Sequence, residues 1–491
     1  MPLFRQGADR AKAGLICVVL FHGCASASRQ ADIALDQPRR LPPDIVAPAT
    51  GPEVAHAAKR TKSVPPGNLS EIKTASYDEP SEASPPAVDG MAGSGEDVFS
   101  GRMELVLPEL EREVQRRNPS LKAAVAAWGA AAEKCPQAVA LDDPLLQTMV
   151  APGTLSSSSS TQASYIFGIG QKIPWSGKRE LRGQVAQWNA VAASLDHDEV
   201  QLRLTEAARV AFYDYYNVFR QLDLNDANLA ALQSFRDTAN SKFVANQVPE
   251  QDVLQADVEL AKLEQRRVEI EQQQVVAAAR INTLLHREPQ LPLPPPQRQL
   301  QLPDALPDVE ELRARAIEQR PDLEAMAARL RSEQNALALT YKDFYPDFEF
   351  MAKYDTFWTD VVQRGQVAMN LNIPLYQNRR HAAVREAMFR VNKMQAEYDQ
   401  LVDAIRNEVQ IAYAKLHASR RTLELYREKV LPASQGNVEA ASSGYTAGTV
   451  DFLRLIQAQR ELIELNEKYQ QAIVEFNRNR AELDRVVGTA P

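Results

Sequence analysis

Three cysteines in 491 residues leave no room for a scaffold built on disulfides. They are Cys17, Cys24 and Cys135, and no histidine lies near Cys135 in sequence, so it reads as a small packed apolar residue rather than a nucleophile. Glycine is scarce and aromatics make up only 7% of the chain. A composition weighted instead to Ala, Leu, Glu, Gln and Arg points to long helices. Long hydrophobic runs are missing too: the N-terminal run Ala13–Phe21 has nine residues, too few to span a bilayer. The net charge of −8 comes without any basic stripe interleaved with aromatics, so nucleic acid is not an expected partner. No nucleophile–base–acid arrangement stands out, so no enzyme activity is expected. The histidines beyond the N-terminal segment (56, 197, 286, 381 and 417) show no ligand spacing, so neither a metal site nor a cofactor is expected. Gly170–Lys178 fails as a phosphate loop, because six residues separate Gly170 from Gly177 and Arg179 stands where a magnesium-holding hydroxyl is needed.

The N-terminus is built like an export signal. Arg5, Arg10 and Lys12 precede the apolar run, which ends at His22-Gly23-Cys24-Ala25-Ser26. That block is similar to a bacterial lipoprotein cleavage site, with Cys24 acylated by a palmitate-type chain. Plain cleavage is the alternative, since Phe21 and His22 depart from the usual pattern. Residues 1–23 are thus a signal peptide. Residues 24–100, rich in Pro, Ala, Ser and Asp, are an expected disordered tether, with order beginning near Arg102.

What remains repeats itself. Phe243–Leu263 recurs 202 residues later as Tyr445–Leu465 (445 against 243), with Ala245, Val248, Gln255, Ala256 and Glu259 matched by Ala447, Val450, Gln457, Ala458 and Glu461. Pro119 and Leu121 match Pro321 and Leu323 at the same offset. A period this long is a duplicated half-molecule rather than a short solenoid. The first repeat spans 101–288 and the second 308–491, joined by a Pro-rich connector at 289–307.

Each repeat carries short helices, an alternating segment and two long helices. In the first, strands are expected at about 144–174 and long helices at about 177–287; in the second, at about 346–376 and 378–488. Tyr165, Phe167, Ile169 and Ile173 alternate with Gly168, Gly170 and Lys172. Phe348, Phe350, Ala352 and Tyr354 do the same, as do Val367, Met369, Leu371 and Ile373. Strict alternation over such lengths fits tilted transmembrane strands. Leu145–Val150 is the weakest of the four. No proline stands between Pro174 and Pro249, which predicts one helix of roughly 100 Å. Arms of about 60 residues are expected for each hairpin, with one break at Pro432, and Leu453, Ile456, Leu462 and Leu465 are expected to pack on neighbouring helices.

The count of strands then constrains the assembly. Four per chain cannot close a barrel, since the smallest closed ones have roughly eight. Open edges are not tolerated in lipid. Several chains must share one barrel, and the long helices must form a tube beneath it. The fold class is therefore mostly α with a membrane β-barrel. A cytosolic coiled-coil scaffold accounts for the helices but not for the signal or the strands.

These blocks resemble the TolC family of outer-membrane efflux proteins over about residues 103–488. The residues that carry the resemblance are Arg320-Pro321-Asp322-Leu323, Asn372-Ile373-Pro374-Leu375-Tyr376, and Tyr445-Thr446-Ala447-Gly448-Thr449-Val450 running on to Gln457. The resemblance implies a homotrimer with a 12-stranded barrel in outer-membrane lipid and a helical tunnel in the periplasm. It also implies docking to a periplasmic membrane-fusion adaptor and, through it, to an inner-membrane efflux pump. Gln171–Lys178 is similar to the heavy-metal efflux branch, with drug or solvent efflux and type I secretion as alternatives. An alternative of another class is a lipid-anchored periplasmic coiled-coil adaptor. The resemblance assigns adaptor contact to the tips, at Ala447, Gly448 and Thr449 and, in the first repeat, Asn246, Gln247 and Val248. The family's acidic constriction falls on Arg454 and Gln457, so it is in doubt, and Asp252 is an alternative pore-lining charge. Pro174, Gly177 and Pro374 are expected at the barrel-to-helix transition, where Pro removes a donor and Gly relaxes the turn. Tyr165, Phe167, Phe348, Phe350 and Tyr354 are candidates for lipid contact.

Overall fold

The structure, a computed structural model, describes Phe99 and residues 101–150, 165–298, 300, 308–358 and 360–489. The signal, Cys24, the tether and the Ser-rich loop at 156–160 fall outside the described residues. The fold begins slightly before Arg102, because Phe99 is already buried against the helices.

Helix α1 (Leu107–Arg117) gives way to α2 (Pro119–Ala132) at Asn118. Pro119 cannot continue α1, and the Asn118 side chain accepts from the Ser120 N–H (2.9 Å) while donating to the Leu284 carbonyl (2.9 Å). After a short α3 (Lys134–Val139) come strands β1 (Leu145–Val150) and β2 (Tyr165–Ile173). Helix α4 (Lys178–Val244) then runs for 67 residues, about 100 Å, and returns as α5 (Glu250–Leu284). The second half has the same order: α6 (Val309–Gln319), α7 (Pro321–Lys342), β3 (Phe348–Asp355), a single turn α8 (Val361–Arg364), β4 (Gly365–Leu371), α9 (Gln377–Leu425), α10 (Leu431–Ala447) and α11 (Phe452–Val487).

Three expectations need correction. The return arms α5 and α11 have 35 and 36 residues, not about 60. The rest of the slab beside each long arm is filled by α2 and α7, because the connector and the C-terminus end the return arms early. Pro432 does not break its helix. A π-helical turn, Tyr426–Val430, precedes it, with right-handed helical dihedrals at Leu425, Tyr426, Val430 and Leu431, since a wider turn accommodates a residue that lacks an N–H and crowds the preceding carbonyls. Leu453 is exposed, whereas Phe452, Leu455 and Ile456 are buried. Ile456 is buried as expected and Leu462 and Leu465 are half-buried, so among these positions Leu453 alone departs from the heptad read in the sequence.

The four strands form one antiparallel sheet in the order β1–β2–β3–β4. The register places Leu146, Ile169, Ala352 and Val367 side by side, with Gln171, Phe350 and Met369 in the next row but one. This apolar face is the exposed one: Ile169 is 56% and Val367 86% accessible. Gly168, Gly170 and Met351 on the opposite face are buried. A sheet bathed in water shows the reverse pattern. A Cβ at Gly168 would lie 3.3 Å from the Ala352 carbonyl oxygen, so the inner face there admits only glycine without adjustment. Among the described residues both outer strands, β1 and β4, have a free edge.

Below the sheet the helices continue the same row. Near the strands α2 packs on α4, α4 on α7 and α7 on α9; toward the tips α5 packs on α4, α4 on α11 and α11 on α10. No described helix is long and apolar enough to cross a membrane.

Candidate functional site

Two places concentrate the geometry that bears on function: the junction between sheet and helices, and the tips of the two hairpins. At the junction Pro174 is buried, and Gly177 takes φ +83° immediately before α4, a dihedral that favours glycine. Pro374 lies between β4 and α9 and is half-buried. The sequence did not single out the group that ties the two halves of the chain together here. Asp347, just before β3, accepts from the Trp175 N–H (3.0 Å) and from the buried Lys178 Nζ (2.9 Å). Burial works against its charge, but these two donors outweigh it and hold the Asp347 carboxyl below its usual range. The Trp175 ring stacks on Tyr345 and Phe348 (centroids 5.2 and 5.6 Å). Lys178 thus serves an ion pair rather than a phosphate.

The aromatic residues divide between the two ends of the sheet. Tyr165, Tyr354, Phe357 and Trp358 lie at the loop end, while Tyr345, Phe348 and Tyr376 lie at the helix end, with Phe167 and Phe350 between.

At the tips the two hairpins turn in the same way. Asn246 N–H donates to Phe243 O and Gln247 N–H to Lys242 O (both 2.9 Å). In the second hairpin Gly448 N–H donates to Tyr445 O (3.2 Å) and Thr449 N–H to Gly444 O (2.9 Å). Each donor and acceptor is displaced by the same 202 residues (448 against 246, 444 against 242). Asn246 sits at φ +54° where Gly448 sits at +76°, and asparagine is among the few other residues that tolerate this region. The absence of glycine from the first tip is therefore no obstacle to the same turn.

A latch joins the tips. The ammonium group of Lys242, in the last turn of α4, donates to the Tyr445 and Thr446 carbonyls at the C-terminal end of α10, and lies 4.6 Å from the Tyr445 ring centre. A cation at the negative end of a helix is favourably placed. The Tyr445 hydroxyl donates to Asp252 on α5 (3.3 Å). Burial, reinforced by the Asp252 charge, pushes the Tyr445 phenol up to about 12. Burial also raises the Asp252 carboxyl, against the opposing pull of the Tyr445 hydroxyl. Slightly higher, Arg460 on α11 grips Glu259 on α5 through two N–H groups. Of the candidate constriction residues, Asp252 is thus engaged in the latch, while Arg454 and Gln457 are exposed, Arg454 4.0 Å from Asp451. A groove of about 690 Å³ opens beside the latch, lined by Lys242, Val248, Asp252, Gly448, Val450 and Leu453. Lys242 was legible only as a basic residue in a final helical turn, a signal too common to single it out.

The raised phenol fixes a pH dependence. An unfolded tyrosine ionises near 10, whereas Tyr445 keeps its proton until about 12. Across that window the unfolded chain binds fewer protons, so the latch loses stability as pH rises. Tyr445→Phe should flatten the alkaline rise in protease nicking at the tips between pH 10 and 12. An unchanged profile would show that the phenol does not contribute.

Histidines sit apart: His197 beside Asp198, His381 against Phe344 and His417 against Tyr413, with His56 outside the described residues. Among the described residues no cluster of His, Cys, Asp or Glu has the arrangement of a metal site. Cys135 is half-buried, and burial, with Glu133 nearby, raises its thiol further from reactivity.

With this geometry in view the likenesses to known proteins are informative. The structure superposes on the outer-membrane channel OprN with a TM-score of 0.65 at 20% identity, covering 78% of this chain and 90% of that one. The fold is that of the outer-membrane channels. CusC, described in terms of folding and transmembrane channel formation, superposes with a TM-score of 0.66 at 16% identity, over 78% and 92% of the two chains. The outer membrane protein VceC of Vibrio cholerae gives 0.65 at 16% identity, over 78% and 96%. By sequence, residues 312–489 match the family described as "Outer membrane efflux protein". The cobalt-zinc-cadmium resistance protein CzcC of Cupriavidus metallidurans is 27% identical over 194 residues, 38% of this chain. That match spans 44% of CzcC, less than half its length. The family and the proteins named here are channels, outer-membrane or resistance proteins rather than enzymes.

Proposed function

We propose that this chain is an outer-membrane efflux protein along its whole length, and that copies of it form a channel conducting solutes passively from the periplasm to the exterior. The observation that carries this reading is the sheet: its apolar face points outward, and among the described residues neither of its edges has a partner. Such a sheet is stable in lipid only if further copies close it into a barrel. The helical slab has matching unpartnered edges. Leu254, Val258, Val268 and Val275 lie exposed along α5, and Met388, Phe389, Ile411 and Leu425 along α9. Three copies would bring twelve strands and four helices' width each, in agreement with the resemblance to the TolC family. The common element order and the two equivalent turns support a duplicated half-molecule.

The tips, with Ala447, Gly448 and Thr449 beside Asn246, Gln247 and Val248, are the proposed contact for a periplasmic adaptor, and through it an inner-membrane pump. Asp252, Arg454 and Gln457 are the proposed charged and polar lining of the periplasmic end, and Cys24 the proposed lipid anchor. Metal ions are the proposed cargo, supported by the likeness to CzcC and by the block Gln171–Lys178; drug or solvent efflux is the competing cargo.

The ring makes a direct prediction. Cysteines placed on the inner face of the two edge strands, Gln147→Cys on β1 and Ala368→Cys on β4 in a Cys135→Ser background, should be joined between chains by a short bis-maleimide in outer membranes. The products should stop at three chains. Cross-linking confined to single chains, or release of the protein by high salt, would overturn the channel reading.

A further inference from the structure

The register that puts the apolar side chains outward also fixes which side chains line the inner face at each height. Four charged residues stand there: Lys172 and Glu349 in the row nearest the helices, Lys353 two rows higher, and Asp355 at the loop end. Lys172 and Glu349 are direct neighbours, so their row carries no net charge. The row above it, with Gly170 and Met351, is uncharged. The next holds Lys353 beside Gly168, with Gln147 and Gln366 to either side, and so carries one uncompensated ammonium.

The other three charges are engaged. Glu349 accepts from Asn370 Nδ2 (3.1 Å), Lys172 Nζ stands 3.8 Å from Asp142, and Asp355 Oδ1 accepts from the Phe357 N–H (2.9 Å). Among the described residues the Lys353 side chain has no hydrogen-bond or ion-pair partner. The connection between β1 and β2, residues 151–164, contains no charged residue that could neutralise it. In the connection between β3 and β4, Asp360 caps α8 through the Val362 N–H (3.0 Å) and Arg364 donates to the Trp358 carbonyl (2.9 Å). Glycine gives the lysine its place on the wall: Lys353 Cγ lies 3.3 Å from where a Cβ of Gly168 would stand.

In the proposed ring this row recurs in every copy. Twelve strands spaced about 4.8 Å and tilted about 40° enclose a bore of radius about 12 Å at the backbone. Side chains leaning in from the wall bring the ammonium groups to about one Debye length, ~8 Å, from the axis. Three such charges, screened by salt, enrich a monovalent anion at the axis roughly threefold and deplete a cation by the same factor. Asp355 opposes them from the mouth, where bulk water and salt screen it most. We infer that Lys353 and its copies form a ring of ammonium groups that makes the barrel favour anions, so that Lys353 sets the charge preference of this part of the conduit. The row then favours solutes that bear carboxylate or phosphate groups and holds back free cations. The inference rests on the channel reading, which supplies the ring and the bore.

Ion permeation tests it. In planar bilayers under a potassium chloride gradient, Lys353→Gln should lower the chloride-to-potassium permeability ratio at least threefold, and Lys353→Glu at least tenfold. Lys353→Gln combined with Gln366→Lys, which returns an ammonium to the same row, should recover most of the ratio. Variants with the unmodified ratio, or a failure of the second lysine to restore it, would overturn the assignment. Thiol chemistry gives a readout that needs no current. Gln366→Cys, in the Cys135→Ser background, should react in outer membranes at least threefold faster with an anionic methanethiosulfonate than with a cationic one, each rate taken relative to a free thiol in solution. Adding Lys353→Gln should remove the difference, and equal rates with Lys353 in place would overturn the proposal. If the unmodified protein passes no current, the channel reading fails, while the thiol rates still decide whether Lys353 draws anions to this face.

Discussion

Ile169→Arg should abolish the membrane-inserted assembly. Ile169 sits mid-strand in β2, between Leu146 on β1 and Ala352 on β3, in the middle row of the outward apolar face. A guanidinium at the midplane of a lipid-facing barrel strand costs about 2–4 kcal/mol. Every copy bears that cost, so a three-chain ring carries it roughly threefold, comparable to the whole stability of an ordinary domain. In a sheet facing water the same substitution would be nearly neutral. The measurement is the share of protein recovered from outer membranes as a heat-modifiable oligomer, with Gln147→Arg on the opposite face as the tolerated control. Normal recovery of Ile169→Arg would remove the lipid-facing assignment of this face.

The second large effect belongs to Arg320, which is 5% accessible. Its guanidinium is bound by both carboxylate oxygens of Asp322 (2.9 and 2.6 Å) and by Glu408 on α9 (2.6 Å), and it approaches the Val486 carbonyl on α11 (3.5 Å). One side chain therefore joins the start of α7 to α9 and α11. Arg320→Met leaves two carboxylates facing each other without their cation, which costs about 3 kcal/mol for a largely buried group. The expected outcome is a clear fall in the temperature at which the oligomer dissociates. Arg320→Lys should recover only part of it, because an ammonium cannot match a two-oxygen fork. Arg320→Met combined with Asp322→Asn and Glu408→Gln should recover more than the lysine variant, since no charge is then left unpaired. Equal dissociation temperatures for Arg320→Met and the unmodified protein would show that the triad is not structural.

The same two regions measure how far the residues could be read in advance. Alternation from Tyr165 to Ile173 and from Phe348 to Tyr354 located strands and faces, because a period of two leaves one physical choice once a face must be apolar. The hairpin turns were equally open to reading, since Gly448 and the repeat at Asn246 mark chain reversal. Resistance came from groups whose meaning depends on distant partners. Asp347 and Lys178 are 169 residues apart and unremarkable until the fold brings them to 2.9 Å. Asp252, read as a pore charge, is engaged with Tyr445, 193 residues away.

By itself the sequence determined the strands, the side of each that is apolar and the long helices, and it raised the expectation of more than one chain. Those follow from local rules, namely the period of each element and the unpaired edges that four strands must leave. Only the tertiary structure decided that the apolar side is the exposed one along the whole sheet, that Pro432 is absorbed by a π-helical turn, and that Lys242, Tyr445 and Asp252 latch the two hairpin tips together. Those depend on which helices lie side by side, a choice made by packing and charge pairing between residues far apart in the chain.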